Sequence, residues 1–178
     1  MGSGGTIVHW DGAVWTTQVS STTETLFSVW GTDARNIWSV GSNGTIVRWN
    51  GIKWATQSSG TPNSLRGVWG ATTTAVWAVG NSGTILKWDG LAWRAQAGVD
   101  AKTLLEGIWG VDENNLWVVG AVVPPFPAAP VGTILRWNGA TWTPQASNIN
   151  YGRLNGIWGT DATNIWAVGN LGLIFHYR

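Results

Sequence analysis

One octapeptide governs what this chain can fold into. Gly5-Thr6-Ile7-Val8-His9-Trp10-Asp11-Gly12 returns from Gly44 as GTIVRWNG, from Gly83 as GTILKWDG and from Gly132 as GTILRWNG. A shortened copy, GLIFHYR, runs from Gly172 to Arg178. Successive copies begin 39, 39, 49 and 40 residues apart. A period near 40 belongs to architectures in which a small unit cannot bury its own faces and stacks on its neighbours. The long interval has a local origin: the proline-rich stretch Ala121 to Val131 replaces two residues found at the same turn elsewhere.

Each repeat reads as four short strands, A to D from an inner axis outwards, separated by turn residues. Strand A is Leu154 to Trp158, with counterparts ending at Trp30, Trp69 and Trp109; strand B is Ile165 to Val168. The turn between them carries Asp33, Asp112 and Asp161, suited to Asx-type capping, and only the Gly70-Ala71-Thr72-Thr73 copy departs from it. Strand C is the octapeptide core. It turns into D through Asp11-Gly12, Asn50-Gly51, Asp89-Gly90 and Asn138-Gly139, strong signals for a two-residue hairpin loop. That loop would set Arg48 opposite Lys53, on an exposed edge, and make Trp49 and Trp54 diagonal neighbours.

Strands A and B are apolar on both faces, so they need cover on both sides, which radial stacking supplies. Gly67, Gly107 and Gly156 on strand A let innermost backbones crowd at an axis. The expectation is an all-β fold, a β-propeller of about four four-stranded blades in one repeat domain over residues 5–178, with completion or enlargement by oligomerisation left open. Residues 1–4 read as a cloning scar outside the fold, without the basic and apolar regions of an export signal. The tally is seventeen strands, C-D at the start and A-B-C at the end. One strand C is redundant in a closed four-bladed ring, an invitation to homo-oligomers.

Composition then narrows function. Sixteen tryptophans in 178 residues, each able to hide ~200 Å², would make the chain insoluble unless most were core. There is no cysteine, only 11% of residues are charged and the formal net charge is +1. Disulfides, thiolate metal sites and a nucleic-acid-binding field are thereby excluded, and no apolar run approaches the ~20 residues of a membrane helix. The Ser, Thr, Asn and Gln that make up the polar surface are more often met in exported or surface-displayed β proteins.

The segment Ile165-Trp166-Ala167-Val168-Gly169, with the Gly-x-Ile-x-x-Trp-(Asn/Asp)-Gly-x-x-Trp pattern of the other copies, resembles tectonin-type propeller repeats and the photosystem assembly factor propellers related to the Asp-box family. The resemblance implies a binding module, since such propellers include glycan-binding lectins and protein-binding assembly factors. The Asp-box itself is not matched, because the hairpin Asp89-Gly90-Leu91-Ala92-Trp93 is one glycine short of it.

No catalytic set stands out. The turn aspartates have no local carboxylate partner, His9 and His176 fall at the position where other copies have Arg48, Lys87 and Arg136, and Glu106 with Arg66 is the one ionisable pair to consider for a central channel. The chain is therefore expected not to be an enzyme and to need no cofactor or metal. Two binding modes remain. In a lectin-like mode the strand D tryptophans Trp15, Trp54, Trp93 and Trp142, with Arg48, Lys87 and Arg136, would contact glycan at blade edges. In a scaffold mode the rim loop of Pro124, Pro125, Phe126 and Pro127 would contact a protein partner.

Overall fold

A computed structural model describes residues 2–146 and 149–178. They form β1 (Ile7–Trp10), β2 (Trp15–Gln18), β3 (Leu26–Asp33), β4 (Asn36–Gly41), β5 (Ile46–Trp49), β6 (Trp54–Gln57), β7 (Leu65–Thr72), β8 (Ala75–Gly80) and β9 (Ile85–Trp88). They continue with β10 (Trp93–Ala95), β11 (Thr103–Asp112), β12 (Asn115–Val122), β13 (Val131–Trp137), β14 (Trp142–Pro144), β15 (Leu154–Asp161), β16 (Asn164–Gly169) and β17 (Ile174–Tyr177). Short 3₁₀ turns at Ser3–Gly5, Ser42–Gly44 and Asn170–Gly172 are the helical segments among the described residues.

The strands form antiparallel sheets that follow chain order: β1-β2, then β3 to β6, β7 to β10 and β11 to β14, and finally β15-β16-β17. These are the blades of a β-propeller. Strands β3, β7, β11 and β15, one per blade, pack side by side at the inner edge. A methyl group on Gly67 would lie 3.2 Å from the Glu106 carbonyl oxygen of the next blade, so the inner strands are close enough to favour a small residue there, Ser28 in the preceding blade.

The two seams between complete blades follow one rule. A blade turns the strand A and B tryptophans, a strand B valine and a strand C isoleucine forwards. The next blade turns its strand A and B aliphatic residues, and its strand C and D tryptophans, backwards. Thus Trp30, Trp38, Val40 and Ile46 meet Val68, Val76, Ala78, Leu86, Trp88 and Trp93 in one cluster. The same positions one repeat later, Trp69, Trp77, Val79 and Ile85, meet Ile108, Leu116, Val118, Leu135, Trp137 and Trp142. Trp38 and Trp77 are fully buried.

The A–B turns are Asx turns as expected: Asp33, Asp112 and Asp161 accept the backbone N–H of Arg35, Asn114 and Thr163 at 2.7–2.8 Å. In the divergent copy the Thr72 hydroxyl accepts from Thr74 instead. The C–D hairpins differ from expectation. Asn50 Oδ1 accepts the amides of both Ile52 and Lys53, and Asp11, Asp89 and Asn138 do the same. The loop therefore holds four residues. Trp49 lies directly opposite Trp54, not diagonal to it, and Arg48 faces Ala55, not Lys53.

Residues 2–4 take part in the fold, because Gly2 exchanges backbone hydrogen bonds with Leu26 and Ser3–Gly5 repeats the turn of Ser42–Gly44. The blades also form an open arc. β2 pairs with β1 alone and β17 with β16 alone, so the N-terminal hairpin does not complete the last blade.

Candidate functional site

The sequence-derived ligand positions lie within this frame as follows. Trp54, Trp93 and Trp142 are buried, each against the preceding blade, and the Trp93 indole N–H donates to Gln57 Oε1 of that blade at 3.0 Å. Only Trp15, on the two-stranded first sheet, is exposed. The four tryptophans are thus not equivalent towards solvent.

Arg48, Lys87 and Arg136 are half-buried, not at a solvated edge. Arg48 lies 4.9 Å over the Trp38 ring and donates to Asn36 Oδ1 at 2.7 Å. Asn36 in turn donates to both oxygens of Asp33, the turn cap. The basic residue on strand C therefore clamps the A–B turn across strand B. Arg136 repeats this over Trp117 with Asn115 and Asp112, and His176 does so by stacking on Trp166 at 3.9 Å and bonding Asn164. In the remaining complete blade Thr72 and Ala75 replace Asp and Asn. There Lys87 sits over Trp77 and reaches Glu113 at 3.9 Å. The basic position is a cross-strand fastening that changes with its turn.

The carboxylates are equally engaged. Backbone amides at the turns hold Asp11, Asp33, Asp89 and Asp112 below the ordinary carboxylate range, and the Thr163 hydroxyl and amide do so for Asp161. Ser42 and Asn43 lower Glu24 in the same way. Carboxylates stabilised in their charged form are poor proton donors near neutrality. Arg66 lies 4.4 Å over the Phe27 ring and donates to Asn81, so the Glu106–Arg66 pairing is not formed. Among the described residues no three His, Cys, Asp or Glu side chains gather as metal ligands.

The insertion is a built feature. β12 and β13 pair as far as Val122 and Val131, lengthening the ladder beyond that of the other blades. At the tip Pro124 is half-buried, Pro125 and Pro127 are exposed, and Phe126 is 97% exposed.

Sequence reasoning found the redundant terminal strand but not which side chains the two ends of the arc expose. At the last sheet Trp166, Val168 and Ile174 are exposed, although their counterparts Trp38, Val40 and Ile46 are buried, and Trp158 is exposed where its counterpart Trp30 is half-buried. At the other end Val8, Trp10 and Trp15 of the first sheet and Val29 of β3 are exposed in the same way. A cavity of about 300 Å³ opens between the fourth and fifth sheets, walled by Trp117, Gln145, Ile165, Phe175 and Tyr177. Its signal was present in the repeat: strand D reads Trp-x-x-Gln at Trp15, Trp54, Trp93 and Trp142, and no such strand borders β17.

No family model matches the chain, and no curated protein matches it. Among solved structures it is similar to YCF48 from Cyanidioschyzon merolae, with 15% identity and a TM-score of 0.70 over 99% of this chain and 62% of that one. It is also similar to a structure of YCF48 bound to D1 peptide, with 13% identity and a TM-score of 0.46 over 93% and 68%. The WD40 β-propeller domain of Doa1 aligns with 15% identity and a TM-score of 0.49 over 86% and 64%. The first of these likenesses shows the propeller fold, and the chain spans 62% of the length of that YCF48 chain.

Proposed function

We propose that this chain is a non-catalytic protein-interaction module whose partner is met at one rim, through the Phe126 loop. The observation that carries the reading is the contrast between repeated and unique residues. The repeated tryptophans and basic groups are consumed by the seams and turn fastenings. Phe126 has no counterpart in other repeats and stands 97% exposed on an extended two-strand base. A large apolar side chain presented by a proline-rich tip loses little conformational freedom on binding. It fits an apolar pocket on a protein surface, as aromatic anchors do.

The lectin reading, which the tectonin-type resemblance supports, needs repeated exposed aromatic rings beside free polar groups. Of the strand D tryptophans Trp15, Trp54, Trp93 and Trp142, Trp15 alone is exposed, so the position is not repeated towards solvent. The assembly-factor side of the resemblance agrees better with a single protein-facing rim.

The test is a selection of displayed peptides and small domains on the folded chain, reassayed against Phe126→Ser. Selected binders should lose at least about tenfold in affinity, as for truncation of an anchor residue. Unchanged affinity in the Phe126→Ser variant, or glycan-array binding abolished by Trp15→Ala, overturns the reading.

A further inference from the structure

The four inner strands share one irregularity. Their pairing passes directly from Leu26 to Ser28 in β3, from Leu65 to Gly67 in β7, from Leu105 to Gly107 in β11 and from Leu154 to Gly156 in β15. One residue per blade therefore bulges out of the ladder: Phe27, Arg66, Glu106 and Asn155. The frame around it is constant, with a buried leucine before and a small residue after. What the frame presents changes from blade to blade: an aromatic ring, a cation, an anion and an amide. Bulges re-aim a side chain, and they gather next to functional sites.

Glu106 stands apart within this row. The chain has nine acidic residues. The six aspartates accept turn amides, Glu24 accepts from Ser42 and Asn43, and Glu113 meets Lys87. Glu106 is half-buried and makes neither kind of contact among the described residues. Arg66, the cation on the adjacent inner strand, is held elsewhere, over Phe27 at 4.4 Å and on Asn81 at 3.4 Å. A partly desolvated carboxylate without a partner destabilises the chain that carries it, and a cation brought from outside relieves that.

The same edge leads to the Phe126 loop. Leu105, just before the bulge, pairs with Gly120, and β12 runs on from Gly120 into the insertion. Strands β3, β7 and β15 begin at the leucine, whereas β11 begins two residues earlier at Thr103, so this blade rises above its neighbours on that rim. Phe126 follows Gly120 by six residues, at most about 20 Å of extended chain. One protein partner can therefore reach both positions.

We propose that Glu106 receives a basic side chain, an arginine or a lysine, of the protein partner met at this rim. The inference rests on the reading of the Phe126 loop as a partner contact and adds the partner's chemistry. That partner carries an apolar pocket for Phe126 and, within about 20 Å of it, a single cation for Glu106. Arg66 beside the site turns away a run of basic residues, since like charges across an interface are costly. An acidic residue of the partner lies on the Arg66 side of the cation.

The test takes peptides and small domains selected by display on the folded whole chain. Each binder is titrated against the native chain, Glu106→Gln and Phe126→Ser, and again with its own basic residue changed to methionine. Glu106→Gln and the methionine change should each weaken binding at least about tenfold, and the two together no further than either alone. The urea midpoint of Glu106→Gln should lie at or above that of the native chain, because a carboxylate without a partner has been removed. Binding that Phe126→Ser weakens and Glu106→Gln leaves unchanged overturns this inference and leaves the Phe126 reading standing. Binding that Glu106→Gln weakens and Phe126→Ser leaves unchanged overturns the Phe126 reading and supports the cation site. The absence of any binder with a basic residue overturns the inference, as do additive losses. So does a lowered urea midpoint, which would give Glu106 a partner in its own chain.

Discussion

Replacing Trp93 by alanine separates a packing role from a ligand-binding role more sharply than any other single change. The ring is 8% exposed, wedged between Trp88 of its own blade and the preceding blade, and it donates to Gln57. Burial of ~200 Å² at ~25 cal/mol per Å² sets a transfer term of about 5 kcal/mol as an upper bound. Core aromatic truncations cost about 3–5 kcal/mol once partial collapse of the cavity is counted. Gln57 would also lose its partner, for about 1 kcal/mol more. Trp93→Ala should therefore cost about 4 kcal/mol, a sizeable part of the roughly 5–15 kcal/mol that holds a domain together. Trp15→Ala, at the equivalent but exposed position, should change the stability of an isolated chain by less than about 0.5 kcal/mol. Urea unfolding followed by far-ultraviolet circular dichroism, at a dilution where association is absent, measures both. Equal losses for the two, or a loss under about 1 kcal/mol for Trp93→Ala, would refute the seam rule from which this contrast follows.

The fastening at Arg48 predicts that Arg48→Met lowers stability by about 1–3 kcal/mol, through the lost cation–ring contact and an unpaired Asn36. A shift in urea midpoint checks it, and an unchanged midpoint would return Arg48 to the list of free ligand contacts. At Gly44, with φ +67°, an added methyl group would meet the Thr61 carbonyl oxygen at 1.8 Å, whereas at Gly60, with φ +73°, nothing lies within 4 Å. Gly60→Ala should cost about 1 kcal/mol of backbone strain and Gly44→Ala several times that, measured as melting temperatures. Acid should also destabilise the chain. Asp11, Asp33, Asp89, Asp112 and Asp161 have their folded values lowered beneath the ordinary one near 3.8, so their contribution is complete above that value and disappears as pH falls through it towards the folded values. Thermal midpoints should be flat from neutrality down to about pH 5 and drop below about pH 4, and a midpoint that rises on acidification contradicts the turn-cap assignment.

Architecture was legible in the sequence because it is carried by spacing. The octapeptide period placed all seventeen strands, and the Asx turns followed from Asp33, Asp112 and Asp161. The C–D register was not legible from Asn-Gly and Asp-Gly alone. The same side chain that tolerates a tight turn here captures two amides ahead of it, widening the loop to four residues and moving Trp54 opposite Trp49. The basic position was visible as a pattern, but its purpose depends on a partner two strands away. Asn36 and Asp33 vary with Arg48 as a set, and Thr72 and Ala75 with Lys87, a correlation that acquires meaning only when strand B is seen to lie between them. The cavity was hidden for a different reason. Its walls come from two blades, so the Trp-x-x-Gln pattern of strand D marks it only once the sheets are set side by side.

This division of labour leads to a prediction about stoichiometry. A multivalent propeller needs the same atoms accessible in each blade, and radial stacking works against that whenever the repeated residues are large and apolar. Here Trp15 is 67% exposed whereas Trp54 is 5% exposed, and Trp93 and Trp142 are buried to a similar degree. The basic groups differ likewise, since Arg48 is tied to Asn36 whereas Lys87 reaches Glu113. Repetition in sequence is therefore spent largely on making the seams identical, and the Phe126 loop is the exposed feature that interrupts the repeat. A ligand or partner should bind with one site per chain in isothermal titration, with a single affinity. Four equivalent sites per chain, or even two related by the 39-residue period of the octapeptide, would show that solvent reaches the repeated residues after all.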